Sequence, residues 1–342
     1  MTHSARPDEL RKLIDIAKPK SIYIDGIQRL PSLLNSIQVL IDSNKFLRFY
    51  LTGSSARKLK RGNANLLPGR LFSYQMGPLV ASELGYKMDT KRALEFGTLP
   101  EIYLTPEESL NQNSSAATPY VLKLLNSYTA TYLREEIKAE ALVRNLESFS
   151  RFLQEIILYP GLFIDYSKLS KKSKISRHAI PRYFEILEDT MVGQRISAFP
   201  DCDIEDLIKH PKFYLFDNGV YNAFLQNHTA SLDRIGVLAK QLVFTQILHS
   251  AWSFDQNAQL FTFRTRSGIE VDFILKLNGK IFAIEVKTSE NISTDDCAAL
   301  LEFQRRVPNC KDLFIFHMGH KEKVFGPVRV LPCQKGLKEI GL

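Results

Sequence analysis

Long hydrophobic runs are missing from this sequence, which has no stretch of about 18 apolar residues, the length that a membrane-spanning helix needs. We therefore expect no segment that crosses a membrane. The N-terminal stretch MTHSARPDELRKLIDIAKPK also lacks the apolar core of a secretion signal. Cysteines are few and far apart, and without a CxxC spacing they favour free thiols in a cytoplasmic protein over disulfides or a zinc site: Cys202, Cys297, Cys310 and Cys333.

The composition excludes a disordered chain and leaves nucleic acid open as a partner. The 342 residues include 22 Phe and 13 Tyr, which are too many aromatic side chains to remain in water. Lys and Arg outnumber Asp and Glu by 45 to 37, and the net charge of +8 permits contact with phosphates without requiring it. A chain of this length is typical of two or three domains.

The N-terminal part follows the patterns of strand, helix and strand. Residues 21–25 (SIYID) and 46–52 (FLRFYLT) are short apolar runs, as strands have. Between them, apolar residues recur at the spacing of one helix face: Leu33, Leu34, Ile37, Leu40 and Ile41. This order predicts a βαβ unit with two parallel strands.

Three residues of this part occupy the positions of a nucleotide site in P-loop ATPases. Asp25 ends the first strand, where such enzymes hold the water shell of Mg²⁺, although Gly26 follows it in place of the usual catalytic Glu. Ser54 follows the second strand and is the candidate sensor of the γ-phosphate. Arg70 lies in LLPGRLFSYQMGPL and is the candidate cation that stabilises phosphoryl transfer from a neighbouring subunit.

IYIDGIQRLP, LTGSSARKL and LPGRLFSYQMGPL together resemble the AAA-family ATPases of bacteria and archaea that carry a C-terminal DUF4143 region. The resemblance implies a partial P-loop AAA-type domain over residues 1–110, ATP with Mg²⁺ as its ligands, and self-association through this domain. No GxxxxGK[ST] motif occurs, so the loop that cradles the phosphates is missing. We expect an N-terminally truncated domain that does not hydrolyse ATP alone. The alternative is that Asp25 and Arg70 are surface or interface residues of a relic domain.

The C-terminal part contains the signal of a tight hairpin. VDFILKL and KIFAIEVK flank Asn278-Gly279, the preferred dipeptide of a two-residue type I′ turn. In the register that this turn sets, Asp272 faces Glu285, and opposed Cβ atoms lie about 4.5–5.5 Å apart. Because two acids this close are unfavourable alone, we expect a cation between them.

A Mg²⁺ site is one way to supply that cation. In the same register Glu270 faces Lys287, and Glu285 shares a strand face with Lys287 because they are two residues apart. Asp272 and Glu285 would bind Mg²⁺ through their oxygens, and Lys287 would position or deprotonate a water. These three residues are therefore the candidate catalytic set, with the two acids as metal ligands.

This arrangement resembles the D…ExK core of the PD-(D/E)XK nuclease-like fold, and SGIEVDFILKLNGKIFAIEVKTS resembles the end of the DUF4143 region. The resemblance implies a nuclease-like α/β domain over residues 205–342, in which Asp217 follows a strand in KFYLFDNGVYNAF. Many active members of that fold have a further acid on the preceding helix, where this chain has Lys240. The alternative to a metal site is an ion-pair cluster held by Lys240 and Lys287.

The middle of the chain, residues 119–200, is predicted to be helical and to include a winged-helix segment. LSKKSKISRHAIPRYFEILEDTMVGQRI has the pattern of helix, turn, helix and short strand. Basic residues cluster around the start of the second helix, where helix-turn-helix proteins contact DNA: Lys171, Lys172, Lys174, Arg177, His178 and Arg182. Without Asn or Gln in the first helical turn, we expect phosphate contacts and not base readout. The alternative is a solvated basic surface.

The sequence thus predicts a multidomain α/β protein with a partial P-loop AAA-type domain, a helical and winged-helix middle, and a nuclease-like C-terminal domain. Three functions stay open. One is an AAA-type ATPase-family protein that cannot hydrolyse ATP as this chain. The others are a Mg²⁺-dependent DNA endonuclease and a non-catalytic module that binds DNA or protein.

Overall fold

The computed structural model describes residues 7–27, 30, 32–53, 71–105, 119–132, 146–200 and 206–342. Two predicted site residues, Ser54 and Arg70, lie outside these ranges. Within them, no helix combines the length and the apolar character needed to cross a membrane.

The N-terminal part is a βαβ unit preceded by a helix. α1 (Pro7–Ala17) leads into β1 (Ser21–Ile24), α2 (Leu33–Ser43) and β2 (Arg48–Leu51). The two strands pair in parallel, which confirms the prediction for this part. The predicted apolar face of α2 packs against them through its buried residues Leu33, Leu34, Ile37 and Leu40.

The described residues in the middle of the chain form a series of helices that is followed by one short strand. Its elements are α3 (Thr90–Phe96), α4 (Pro100–Tyr103), α5 (Pro119–Ser127) with a π-helical turn after it, α6 (Leu146–Ile157), α7 (Tyr166–Ser173), α8 (Ala179–Asp189) and β3 (Gly193–Ala198). The predicted order of helix, turn, helix and strand is present in α7, α8 and β3. The predicted inward face of α8 is buried: Ile180, Tyr183, Phe184 and Leu187.

The C-terminal part contributes most strands of a mixed sheet. Its elements are β4 (Lys212–Leu215), α9 (Asn218–Phe224), α10 (Ile235–Ser253), β5 (Ala258–Arg264), β6 (Glu270–Leu277), β7 (Lys280–Lys287), α11 (Ala298–Arg306), β8 (Asp312–His317), β9 (Lys323–Phe325), β10 (Val328–Pro332) and α12 (Cys333–Ile340). The strand order is β4-β3-β5-β6-β7-β8-β10-β9. One face of the sheet packs on α10 and α12, and the other on α11.

The β6–β7 hairpin forms in the predicted register. Asn278 and Gly279 have φ of 51° and 81°, as both central residues of a type I′ turn require. Leu277 pairs with Lys280, and the ladder continues as far as Phe273 opposite Ile284. Near its N-terminal end, β6 contains a β-bulge in its pairing with β5. Val271 and Ile274 are separated by two residues, whereas their partners on β5, Phe263 and Phe261, are separated by one.

Two glutamine side chains fasten residues 79–88 to the C-terminal part. Gln246 of α10 accepts a hydrogen bond from Ala81 N (2.7 Å) and donates one to Leu79 O (3.1 Å). Gln334 of α12 accepts from Met88 N (2.7 Å) and donates to Met88 O (2.8 Å). The segment that follows the βαβ unit is therefore bound to two helices of the C-terminal part.

Candidate functional site

A cluster of charged side chains surrounds the bulged end of β6. Its members are Lys212, Lys240, Arg264, Glu270, Asp272, Glu285, Lys287 and Asp296, and we call them the charged cluster. The regular ladder ends before Asp272, and the β-bulge frees this residue from strict alternation along β6. The cluster contains all three predicted catalytic residues.

Asp272 and Glu285 are joined by reciprocal contacts with each other's strand. Asp272 Oδ2 accepts a hydrogen bond from Val286 N (3.0 Å), and Glu285 Oε2 accepts one from Asp272 N (3.3 Å). Asp272 is only 1% exposed. The predicted neighbourhood of the two acids is therefore present, although side-chain to backbone bonds replace regular strand pairing there.

A lysine ammonium group lies against the buried Asp272 carboxylate. Lys240 Nζ of α10 is 2.5 Å from Asp272 Oδ1, and Lys212 Nζ is 4.0 Å from the same oxygen. Burial lowers the pKa of Lys240, but the attraction of Asp272 outweighs it, so the pKa is raised overall. Asp272 Oδ1 has no aligned hydrogen-bond donor among the described residues, so the contact with Lys240 is ionic in character.

Glu285 belongs to a different ion pair. Its neighbours Ile284 and Val286 pack into the core under α10, so Glu285 and Lys287 project towards the α11 side of the sheet. Lys287 Nζ lies 3.7 Å from Glu285 Oε1 and 3.2 Å from Asp296 Oδ1, just before α11. Glu285 and Lys287 thus share a face, as predicted.

Glu270, the fourth acid of the cluster, does not contact the lysine that the sequence predicted as its partner. Glu270 was expected opposite Lys287, but its carboxylate contacts Lys212 Nζ (2.6 Å) and Arg264 Nη1 (2.8 Å). Lys212 is 1% exposed and also stacks on Phe163, with its Nζ 4.8 Å from the ring centre. The cations come from two other strands of the same sheet, Lys212 from β4 and Arg264 from β5, and Arg264 pairs with Glu270 beyond the β-bulge.

The acids of the cluster are offset by cationic side chains without a metal ion. Four cationic side chains face four carboxyl groups. Burial and the nearby Asp272 carboxylate raise the pKa of Glu285 to about 8, against 4.5 for an ordinary Glu, so this group is largely protonated at pH 7. Among the described residues, no group of three or more His, Cys, Asp or Glu could hold a metal ion. The cluster therefore does not fit Mg²⁺ at neutral pH, since a divalent ion needs ionised, unpaired oxygens.

A cleft of about 820 Å³ opens beside the charged cluster. It runs between the start of α7 and the start of α10, and its ionisable lining residues are Asp165, Lys168, Asp233, His210, Lys240, Arg264 and Glu270. Phe163 contributes an aromatic wall. The cleft has the size of a site for a small molecule or one nucleotide of a strand.

The predicted basic residues lie around the turn between α7 and α8: Lys171 and Lys172 in the last turn of α7, Lys174 and Arg177 between the helices, and Arg182 in α8. Lys171, Lys172, Lys174, Arg177 and Arg182 are all exposed. Lys172 donates a hydrogen bond to the Tyr159 hydroxyl and lies 4.9 Å from the centre of its ring. Lys171, Lys174 and Arg177 form no ion pair within the described part of the chain, and we call these three residues the basic turn.

Of the three residues predicted to form a nucleotide site in the N-terminal part, only Asp25 lies within the described ranges. Asp25 follows β1 and is exposed, and the Thr52 hydroxyl after β2 donates a hydrogen bond to Asp25 Oδ1. Thr52 N also donates to Ile24 O (2.9 Å), which extends the strand pairing to this point. The acid and the end of the second strand thus lie together, as the prediction requires, while the positions of Ser54 and Arg70 stay a prediction.

Several residues of these sites escaped the sequence reasoning. Lys212 begins the apolar run KFYLF, and nothing in such a run indicates that its first residue is buried. Arg264 and Asp296 lie on segments whose sequence pattern does not indicate a binding site. The one available signal was Lys240, whose place on the preceding helix pointed to the contact that the structure contains.

Three family matches cover most of the chain. Residues 2–85 match an AAA domain, residues 87–231 match a domain of unknown function (DUF8612), and residues 235–335 match a domain of unknown function (DUF4143). The last match begins at the first residue of α10 and contains Lys240, Asp272, Glu285 and Lys287, while Lys212 lies in the preceding match.

Two curated proteins are similar along most of the chain. One is from Mycobacterium tuberculosis and the other from Mycobacterium bovis, and both are described as uncharacterized. Each is 22% identical over 290 residues, which cover 83% of this chain and 62% of the relative. The chain therefore spans less than two thirds of the length of these relatives.

Proposed function

Since this chain belongs to the AAA-type, ATPase-like proteins with a C-terminal DUF4143 domain, we propose that it binds the phosphate backbone of nucleic acid and does not cut it. The basic turn is the observation that carries the proposal. Its three exposed cations have no carboxylate partner among the described residues, so they are available to neutralise phosphates.

The elements around the basic turn support nucleic acid as the partner. α7 and α8 form a helix-turn-helix arrangement followed by β3, and in such motifs the start of the second helix approaches the DNA. Lys168 lies on α7 together with Lys171 and also lines the cleft beside the charged cluster. A strand held at the basic turn would therefore pass the cleft, where Phe163 and His210 can contact its bases.

The pairing of Lys240 with Asp272 supports binding without cleavage. Phosphodiester hydrolysis by a nuclease-like centre depends on carboxylates that hold a metal ion. Here the Asp272 carboxylate already has an ammonium group at 2.5 Å, and the Glu285 carboxyl is largely protonated at pH 7. The cluster then serves to stabilise the wall of the cleft.

ATP hydrolysis is not proposed for this chain. It contains no GxxxxGK[ST] motif, and Gly26 follows Asp25 where the catalytic Glu is usual. We expect millimolar Mg-ATP to leave the melting temperature unchanged. A stabilisation of several degrees by Mg-ATP beyond the effect of Mg²⁺ alone would contradict this view.

Charge reversal tests nucleic-acid binding. The variant Lys171→Glu/Lys174→Glu/Arg177→Glu removes the basic turn and should weaken binding to a fluorescent DNA duplex by about 100-fold or more at low salt. The slope of log affinity against log salt concentration should also fall by about 2–3, since three phosphate contacts are lost.

The matched control is Lys45→Glu/Lys280→Glu/Lys311→Glu, which changes the net charge equally at exposed sites elsewhere. This control should retain most of the affinity and most of the salt slope. Equal losses in both triple variants would mean that net charge alone attracts DNA. Unchanged affinity of the basic-turn variant would refute the proposed surface.

A Mg²⁺-dependent endonuclease remains the second candidate, because Asp272 and Glu285 lie side by side with Lys287 close to Glu285. Its test is plasmid cleavage in Mg²⁺ or Mn²⁺ by the parent protein and by Asp272→Ala. Cutting by the parent alone would support this candidate and overturn the non-cutting proposal. Equal cutting by both proteins would reject the assignment of Asp272.

A further inference from the structure

A second cavity, of about 470 Å³, lies between the end of α8, β3 and the C-terminal half of α10. Its aromatic walls are Phe216, Phe244 and Trp252, and its polar lining includes Gln75, Gln194 and His249. No residue of the charged cluster or of the basic turn lines it. The cavity is therefore separate from the sites described above.

His249 presents a buried acceptor without a donor. Its Nε2 lies 3.2 Å from Phe216 O, and because a carbonyl only accepts, Nε2 carries the hydrogen and Nδ1 the lone pair. The side chain is 3% exposed, and Nδ1 has no hydrogen-bond partner within the described part of the chain. Burial lowers the pKa of His249 to about 4, so the ring is neutral at pH 7.

Gly77 packs against the His249 ring beside Nδ1. A Cβ added at Gly77 would come within 2.1 Å of Nδ1, 2.5 Å of Cγ and 2.9 Å of Cε1. Proximity to three ring atoms places Gly77 over the face of the imidazole, whereas the Nδ1 lone pair lies in the ring plane. Trp252 meets the same ring edge-to-face, with centres 4.8 Å apart.

Charged and amide side chains complete the polar lining of the cavity. Arg195 is held by Glu188 through two contacts of 2.7 Å, so it is not free to bind another group. The Asp189 carboxylate and the Gln75 and Gln194 amides also line the cavity. The wall therefore offers carboxylate and amide oxygens and one imidazole nitrogen as acceptors beside aromatic rings.

We propose that this cavity binds a planar heteroaromatic ring with an exocyclic amine, of the adenine or cytosine class. The aromatic side chains would contact its faces, and the amine would donate to His249 Nδ1, which is otherwise an unfavourable buried acceptor. The volume is that of a site for one base with its sugar. Such a ring can come from a free nucleoside or from a base of a single strand.

Trp252 makes the test direct, because it is the chain's single tryptophan and lines the cavity. Its fluorescence, excited beyond the absorbance of the bases, is titrated with adenosine, cytidine, uridine and a short oligo(dA). Adenosine and cytidine should change it saturably, and uridine, without an exocyclic amine, should bind at least about tenfold more weakly. Saturation by oligo(dA) but not by adenosine would assign the base to a strand.

His249→Phe keeps the ring and removes the acceptor, so it should weaken adenosine binding by about tenfold. The matched control is His228→Phe, the same change at a half-buried histidine outside the cavity, which should bind as the parent does. If His249→Phe does not fold, Gln194→Met should still weaken binding several-fold. The absence of a saturable signal with both nucleosides and oligonucleotide, equal binding of uridine, or unchanged binding by folded His249→Phe would each overturn the proposal.

Discussion

Replacing Lys240 by methionine tests the balance of the charged cluster. Removing one partner of a buried ion pair commonly costs about 3–5 kcal/mol, because a buried charge is left without compensation. Here the Lys240 side chain is 33% exposed, and Lys212 remains 4.0 Å from the same Asp272 oxygen. We therefore expect Lys240→Met to lower the free energy of unfolding by about 2–3 kcal/mol, measured by urea denaturation at pH 7.

A double-mutant cycle separates the ion pair from lost packing. Asp272→Asn retains an acceptor for Val286 N, and Lys240→Met/Asp272→Asn should be more stable than the sum of the single changes by about 1.5–2 kcal/mol. Lys280→Met, at the exposed end of the hairpin, should stay within about 0.5 kcal/mol of the parent. Additive single effects, or a Lys240→Met as stable as the Lys280→Met control, would refute the reasoning.

Three other changes test separate parts of the structure. The raised pKa of Glu285 means that the native state keeps a proton that the unfolded chain releases between pH 4.5 and about 8, so stability falls as pH rises through that window. Glu285→Gln should therefore melt like the parent at pH 4, below the window, but higher at pH 9, and equal melting at pH 9 would contradict the shift. Gly97→Ala should cost about 3 kcal/mol or more, because its Cβ would lie 2.0 Å from Asp217 Oδ1; Gly268→Ala, also at positive φ but with nothing within 4 Å, should cost about 1 kcal/mol. Lys240→Glu should create a site at which Mg²⁺ raises the melting temperature, whereas the parent should show no such shift in differential scanning fluorimetry.

Local pattern was enough to predict the hairpin and the βαβ unit. The Asn278-Gly279 turn sets its own register, so the neighbourhood of Asp272 and Glu285 followed from counting along two strands. The apolar face of α2 and the parallel pairing of β1 with β2 likewise depend on short segments. These features need no knowledge of distant residues.

The partners of the cluster could not be predicted in the same way. The β-bulge in β6 arises from the pairing of β6 with β5. Beyond it, Glu270 forms ion pairs with Lys212 and Arg264 and not with Lys287. Lys212 precedes Glu270 by more than fifty residues and reaches it only because β4 joins the same sheet. Such contacts depend on tertiary assembly, which strand patterns do not contain.

The hydrogen bonds of Gln246 connect residues 79–81 directly to α10, the helix that also carries Lys240. Gln246, which grips Leu79 and Ala81, lies six residues along the helix from Lys240, a rise of about 9 Å. A displacement of residues 79–81 relative to the sheet would therefore either break these two hydrogen bonds or move α10 and its Lys240 with it. His249 and Trp252 lie further along the same helix and would move with it.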